Sequence, residues 1–258
     1  MFLPTLGALG FVGGFVSGLV GVGGAIVMIP LLFYVPPLLA VGSLDIKLVA
    51  GATMAQVFAA SLVGAWVHGR AAMVHASLAL IGGSGMALGS LVGAIGSRYV
   101  TGRVLLVVFG AMSTVALPLM FVSPASGGDG TPGSPVSFNR AAAFVYPSAI
   151  GLMAGLVGAG GAFLLVPVLA GLLRVPVRLS IGTSLAITVV AALTGFLGKL
   201  VTGQVPPAAT AAVVVGALAG APLGARLSRV APVGVLRGVL AILIALATLR
   251  VWADVFAG

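Results

Sequence analysis

The chain has 258 residues, with twelve Lys and Arg against three acids for a formal net charge of +9, 60% hydrophobic and 6% charged residues, and a mean hydropathy of +1.31. A soluble domain commits about a quarter of its residues to charge, so a water-soluble fold is excluded and a polytopic membrane protein is indicated. The basic excess does not point to nucleic acid: the basic residues stand singly between apolar runs, without clusters or interleaved aromatics, and membrane orientation accounts for them.

Apolar runs between Arg, Pro and polar punctuation define eight embedded segments, at 5–36, 46–67, 72–96, 103–122, 141–173, 177–199, 206–226 and 234–252. Each is near or above the roughly 20 residues that a helix needs to cross the hydrocarbon, and the first and fifth are overlong. The leading stretch MFLPTLGALGFVGG has no basic n-region and runs directly into segment one, so it is expected to be mature structure.

Segment one contains GFVSGLVGVGGAIVMIP at 14–30, and segment five contains GLMAGLVGAGGAFLLVP at 151–167; nine of the 17 paired positions are identical. Glycine costs about 1 kcal/mol relative to alanine inside a helix, and proline about 3 kcal/mol. Four glycines within seven residues and then a proline therefore predict a helix break in each copy. A break at membrane depth survives only where protein or a polar cavity satisfies its backbone. The half-helix beginning there offers free N–H groups and the positive end of a dipole, an arrangement suited to anions. The expected contact positions are Gly21, Gly23, Gly24 and Ala25 in the first copy and Gly158, Gly160, Gly161 and Ala162 in the second. The competing reading is that the glycines only allow tight helix crossing. A phosphate-loop reading fails, because GLVGVGGA has neither the lysine nor the glycine spacing of such loops and no strand precedes it.

Segment two carries Thr53, Gln56 and Ser61; segment six carries Thr183, Ser184, Thr188 and Thr194. Hydroxyls and amides complete the shell of an oxyanion without the cost of a buried charge. Thr53, Gln56, Thr183 and Ser184 are the expected side-chain contacts, with Thr53 and Ser184 foremost because they are 131 residues apart, as are Gly51 and Gly182. Bonding back to their own helix is the alternative for Ser and Thr. His68 and Lys199 share the same 131-residue spacing near segment ends, where a gate or stepping stone for anions competes with snorkelling to the interface. In segments three and seven, Gly85, Gly89 and Gly93 match Gly216, Gly220 and Gly224, one helix face of small residues suited to close packing.

Between segments four and five lies SPASGGDGTPGSPVSFN, the only stretch with the composition of a soluble linker. The expected architecture is an all-α membrane helix bundle of two tandem repeats, 1–122 and 141–258, joined by a linker at 123–140, each with four embedded segments and a broken or re-entrant first one. No Asp or Glu lies centrally in any run, which argues against a carboxylate proton relay and a carboxylate-lined cation site; the absence of Cys removes thiolate chemistry and sulfur-ligated metal. No enzymatic activity, cofactor or metal is expected.

The two GG elements, with GAT and GTS after them and the GSLVGA and GAPLGA elements, resemble the TauE/SafE sulfite exporter family. The resemblance covers both halves outside the linker. It implies a multi-pass transporter of the cytoplasmic (inner) membrane for sulfur-containing anions such as sulfite and organosulfonates, with other small anions handled by some members. The expected function is thus a secondary exporter of such an oxyanion; the alternatives are an anion channel sharing the site, a transporter of another small organic anion, and a non-transporting scaffold. The expected partners are the anion and the lipid bilayer, with a homodimer left open.

If segments one and five each cross the membrane, the basic residues divide eight against four and place both termini outside. If both are hairpins returning to the face they entered, the halves are inverted and the division is five against seven. The inverted arrangement is adopted here, because it explains why those segments are overlong and supplies alternating access directly.

Overall fold

The computed structural model describes residues 1–20, 24–69, 74–122, 138–228 and 232–257. Ten helices fill them: α1 Phe2–Val20, α2 Ala25–Leu38, α3 Ile46–Gly69, α4 Ala76–Gly96, α5 Gly102–Val122, α6 Arg140–Val157, α7 Ala162–Gly171, α8 Val177–Val201, α9 Pro207–Ser228 and α10 Val233–Ala257. Seven of the helices, α1, α3 to α6, α8 and α9, are long and apolar enough to cross a membrane, while α2 and α7 are shorter apolar helices. Most of the linker at 123–140 lies outside the described residues.

The overlong segments at 5–36 and 141–173 each contain two helices. Pro30 and Pro167 do not lie at the junctions; they sit inside α2 and α7, and the helices change over at the glycines. A methyl group at Gly13 would strike the Met28 sulfur, and one at Gly24 would strike Ser17, so α2 runs back along α1. Gly42, beyond α2, packs on the ring of Phe2, returning the chain to the end at which it started.

Glycines decide which helices meet. On α9, Gly216, Gly220 and Gly224 face the carbonyl oxygens of Gly7, Phe11 and Phe15 on α1; on α4, Gly85, Gly89 and Gly93 face those of Phe144, Ser148 and Leu152 on α6. From the other side, Gly14 and Gly18 of α1 lie on Ala217 and Ala221, and Gly151 and Gly155 of α6 lie on Met86 and Ser90. Lipid tails are as apolar as leucine, so helices associate in a bilayer by such close van der Waals contact and by hydrogen bonds between helices. Numbers rise together along both seams, so each pair is parallel.

Polar ties align α4 with α8. The His75 N–H donates to Thr183 Oγ1 at 3.0 Å, Thr194 Oγ1 to the Ala87 carbonyl at 3.0 Å, and Lys199 Nζ to Ser97 Oγ at 2.6 Å. α3 runs opposite to α8, since Gly64 meets Leu185 and Gly195 meets Met54. With 72% of its apolar window buried, against 33–50% in the other six, α3 is the enclosed centre of the bundle. At the periphery α5 and α10 run antiparallel: Arg103 Nη2 donates to the Val255 carbonyl at 2.9 Å and Trp252 Nε1 to Thr114 Oγ1 at 3.1 Å.

The seams make a contrast between two glycines of α4. Adding a methyl at Gly93 drives it into the Leu152 carbonyl, whereas one at Gly83 meets nothing within 4 Å. Gly93→Ala is expected to destabilise the protein by about 1–3 kcal/mol through overpacking, and Gly83→Ala to leave it unchanged or stabilise it by up to about 1 kcal/mol through helix propensity. Thermal unfolding midpoints of the detergent-solubilised variants measure the difference.

Candidate functional site

At the second junction α6 ends in a left-handed turn. Gly158 has φ 82°, Gly160 φ 61° and Gly161 φ 69°, a region that costs other L-residues about 1–2 kcal/mol each. The N–H groups of Gly158 and Ala159 both donate to the Ala154 carbonyl, at 2.8 and 2.9 Å, and that of Gly161 to the Ala159 carbonyl at 2.7 Å. The first bonds into α7 come from Leu164 and Leu165, at 3.1 and 3.0 Å, both to the Gly161 carbonyl. Gly161 supplies no side-chain cap, so the amides of Ala162 and Phe163 have no backbone acceptor among the described residues.

The first junction is built alike where it is described. Gly24 has φ 68°, precedes α2 without a side-chain cap, and its carbonyl accepts from Val27 and Met28 at 3.2 and 3.0 Å. Gly21 and Gly23 lie outside the described residues. Gly24, Ala25, Gly158, Gly160, Gly161 and Ala162 are all buried.

α3 forms the wall of the second junction. Gly158 lies on Ala50, Gly160 on Val57 and Gly161 on Met86 of α4. Thr53 is on the same α3 stripe, between Ala50 and Val57 by helical spacing. Its side chain is fully buried, and Oγ1 has no hydrogen-bond partner. One turn on, Gln56 is equally buried, with both amide atoms unpartnered. A buried polar atom left unpaired costs about 1–3 kcal/mol, so the unpartnered Thr53 and Gln56 on this wall call for a ligand or ordered water to meet them.

The structure separates the other expected contacts. Thr183 is held at the start of α4, where its Oγ1 accepts from the His75 amide. Ser184 donates back to the Ile181 carbonyl at 2.9 Å and Thr194 to those of Ala87 and Ala191, while Thr188 Oγ1 and Ser61 Oγ have no partner. Thr53 and Ser184 thus differ: one hydroxyl is unpartnered and the other is used by its own helix. The side chain of His68, in the last turn of α3, lies outside the described residues.

Two features were not legible in the sequence. Ser17 is buried and unpartnered directly against Gly24; its counterpart in the second element is Ala154, so comparison of the two copies passes over it. Lys199 is fully buried and does not snorkel. Its Nζ donates to Ser97 Oγ at 2.6 Å, to the Leu156 carbonyl at 2.9 Å and to Gln204 Oε1 at 3.1 Å; the 131-residue spacing from His68 near a segment end marks the residue in the sequence, but not its enclosure.

Charged residues otherwise stay at helix ends. Asp45 accepts from the Lys47 amide at 2.8 Å, the Lys47 ammonium donates to the Arg98 carbonyl at 3.1 Å, and Arg250 pairs with Asp254 at 3.3 Å. No group of three or more His, Cys, Asp or Glu that could hold a metal occurs among the described residues.

Comparison with known proteins sets this helical bundle among membrane transporters. The sulfite exporter TauE/SafE family matches residues 6–251. The Probable membrane transporter protein YunE of Bacillus subtilis (strain 168) is 27% identical over 248 residues, covering 89% of each chain. A Probable membrane transporter protein of Xylella fastidiosa (strain 9a5c) is 32% identical over 190 residues, covering 71% of this chain and 68% of its own. No solved structure matches. The chain belongs to the sulfite exporter TauE/SafE family of membrane transporters.

Proposed function

We propose that this transporter exports a small sulfur-containing oxyanion, sulfite or an organosulfonate, across the cytoplasmic membrane, and that the anion is held at the two glycine junctions. The observation that carries the reading is the buried, uncapped start of α7, reached through a turn that packs on the stripe of α3 bearing the unpartnered hydroxyl of Thr53. A helix start presents roughly half a positive charge and free N–H donors. Thr53, Gln56 and, at the first junction, Ser17 and Gly24 add neutral donors, and Gly21 and Gly23 are assigned with them by sequence. α3 itself carries no carboxylate to repel an anion, and Asp45, just before it, is exposed and accepts from the Lys47 amide. Thr183 and Ser184 are assigned to the α8 side, where a change of partner would free their hydroxyls.

The halves 1–122 and 141–258 act as an inverted pair around the linker at 123–140. The contacts that support this are reciprocal: α1 packs on α9 as α6 packs on α4, α3 opposes α8, and the glycines of each seam fall 137 residues apart in α1 and α6 and 131 apart in α4 and α9. Each half then contributes one hairpin and three crossings. The burial of Gly24 and Ala25 at the first junction and of Gly158, Gly160, Gly161 and Ala162 at the second favours alternating access over an open channel.

Purified protein in proteoliposomes tests the site with radiolabelled sulfite and a short alkyl sulfonate. Gly24→Leu and Gly161→Leu, each shown to be folded, are expected to weaken binding and flux by tenfold or more, since one strained residue forfeits about 1–3 kcal/mol. Thr53→Val is expected to weaken binding about tenfold through loss of one hydrogen bond to a charged ligand. Flux equal to the parent in both glycine variants would remove the site assignment. Topology is read separately, with reporters inserted at Gly128 and at the C-terminus: three crossings after the linker put them on opposite faces of the membrane.

A further inference from the structure

We propose that Lys199 is the proton-carrying residue of the transport cycle, exchanging a proton with water at one membrane face and thereby coupling anion movement to a pH gradient. The inference rests on the transport reading above and adds its energy source. Among the described residues Lys199 is the only charged side chain that is fully buried. An ammonium in such a place is costly unless it is paired and hydrogen-bonded. Here it has three acceptors and no counter-charge: Ser97 Oγ, Gln204 Oε1 and the Leu156 carbonyl are all neutral. The membrane runs contain no acid to carry a proton instead.

The shell accommodates both states of the amine. Ser97 Oγ is in contact with the Ala94 carbonyl at 2.6 Å and Gln204 Oε1 at 3.0 Å as a donor, and with Lys199 Nζ as an acceptor. When the ammonium gives one proton to water, Nζ keeps two N–H donors and gains a lone pair. The two donors stay with Leu156 and Gln204, and the Ser97 hydroxyl turns from Ala94 to donate to Nζ. A hydroxyl is the one ligand of the three that both donates and accepts.

The position links this proton to the site. Leu156 is in the last turn of α6, two residues before the left-handed turn at Gly158, so the ammonium holds a terminal carbonyl of the helix that ends at the anion junction. The charged residues facing this end are Lys47 and Asp45 at the start of α3 and Arg98 after α4. The last two turns of α6, and those of α8 apart from Lys199, carry no titratable side chain, and Thr202, Gly203 and Gln204 are neutral.

The test uses the full chain in proteoliposomes with the membrane potential clamped and labelled alkyl sulfonate, which stays a monoanion at every working pH. A one-unit pH gradient moves an anion coupled to one proton to an equilibrium ratio of about ten, because 1.4 kcal/mol is a factor of ten. The parent is expected to reach such a ratio on one side of the gradient, and Lys199→Met to equilibrate near a ratio of one. A second measurement does not depend on that variant folding. The chain has two lysines, Lys47 and Lys199, so Nζ-labelled lysine gives two NMR signals, assigned with Lys47→Arg. The Lys199 signal is expected to pass between ammonium and amine across the pH range of coupled transport. Accumulation by Lys199→Met equal to the parent's, or a Lys199 signal fixed in one charge state through that range, overturns this inference alone. A parent that neither binds nor moves sulfite or sulfonate overturns the transport reading itself.

Discussion

Direct contact between helix backbones, α1 on α9 and α4 on α6, is the constraint on which the rest of this structure depends. Glycines fall every fourth residue along α9 and α4, and the facing carbonyls occupy the space a side chain would take. In lipid no hydrophobic push drives helices together, so short-range van der Waals contact takes over that role. Each seam joins a helix from one half of the chain to a helix from the other. The first helix of each half is thereby clamped by the opposite half, and the short helices that follow inherit fixed positions, α2 beside α3 and α7 beside α8 and α5.

The clamp has an energetic consequence. Once α6 is fixed against α4, its C-terminal carbonyls and the first amides of α7 must find partners inside the protein, because hydrocarbon provides none. Some are met locally by the turn at 158–161, where glycine alone adopts the required φ cheaply. Another is met at long range by Lys199, reaching Leu156 from α8. The amides of Ala162 and Phe163 are left over. The proposed anion site is built from what the fold leaves unsatisfied, and the unpartnered Thr53, Gln56 and Ser17 belong to the same class of group.

Lys199 also shows why a polar residue at a helix end is ambiguous in a linear reading. A long cationic side chain near the end of an apolar run ordinarily reaches the headgroups. Here α4 and α6 converge on the end of α8, and the ammonium turns inward to Ser97, Leu156 and Gln204 instead of extending to the headgroups. Thr183 and Ser184 carry the same lesson. They are adjacent hydroxyls in one helix, yet one is taken by the start of α4 and the other by its own backbone.

Composition and hydropathy alone determined that the protein is a membrane helix bundle, because so few charges cannot cover a soluble surface. Glycine spacing determined where backbones approach, since a fourfold stripe without side chains has one physical use at a helix contact. Periodicity also located the clustered glycines of the two GG elements, although it gave the prolines a share in the change of helix that the glycines alone hold. What only the tertiary structure decided is which hydroxyls are free, that Ser17 lies against Gly24, and that Lys199 is enclosed. Those outcomes depend on the direction and depth at which distant helices meet, and a hydrogen bond exists or fails over a few tenths of an ångström, a distance that local sequence preference does not encode.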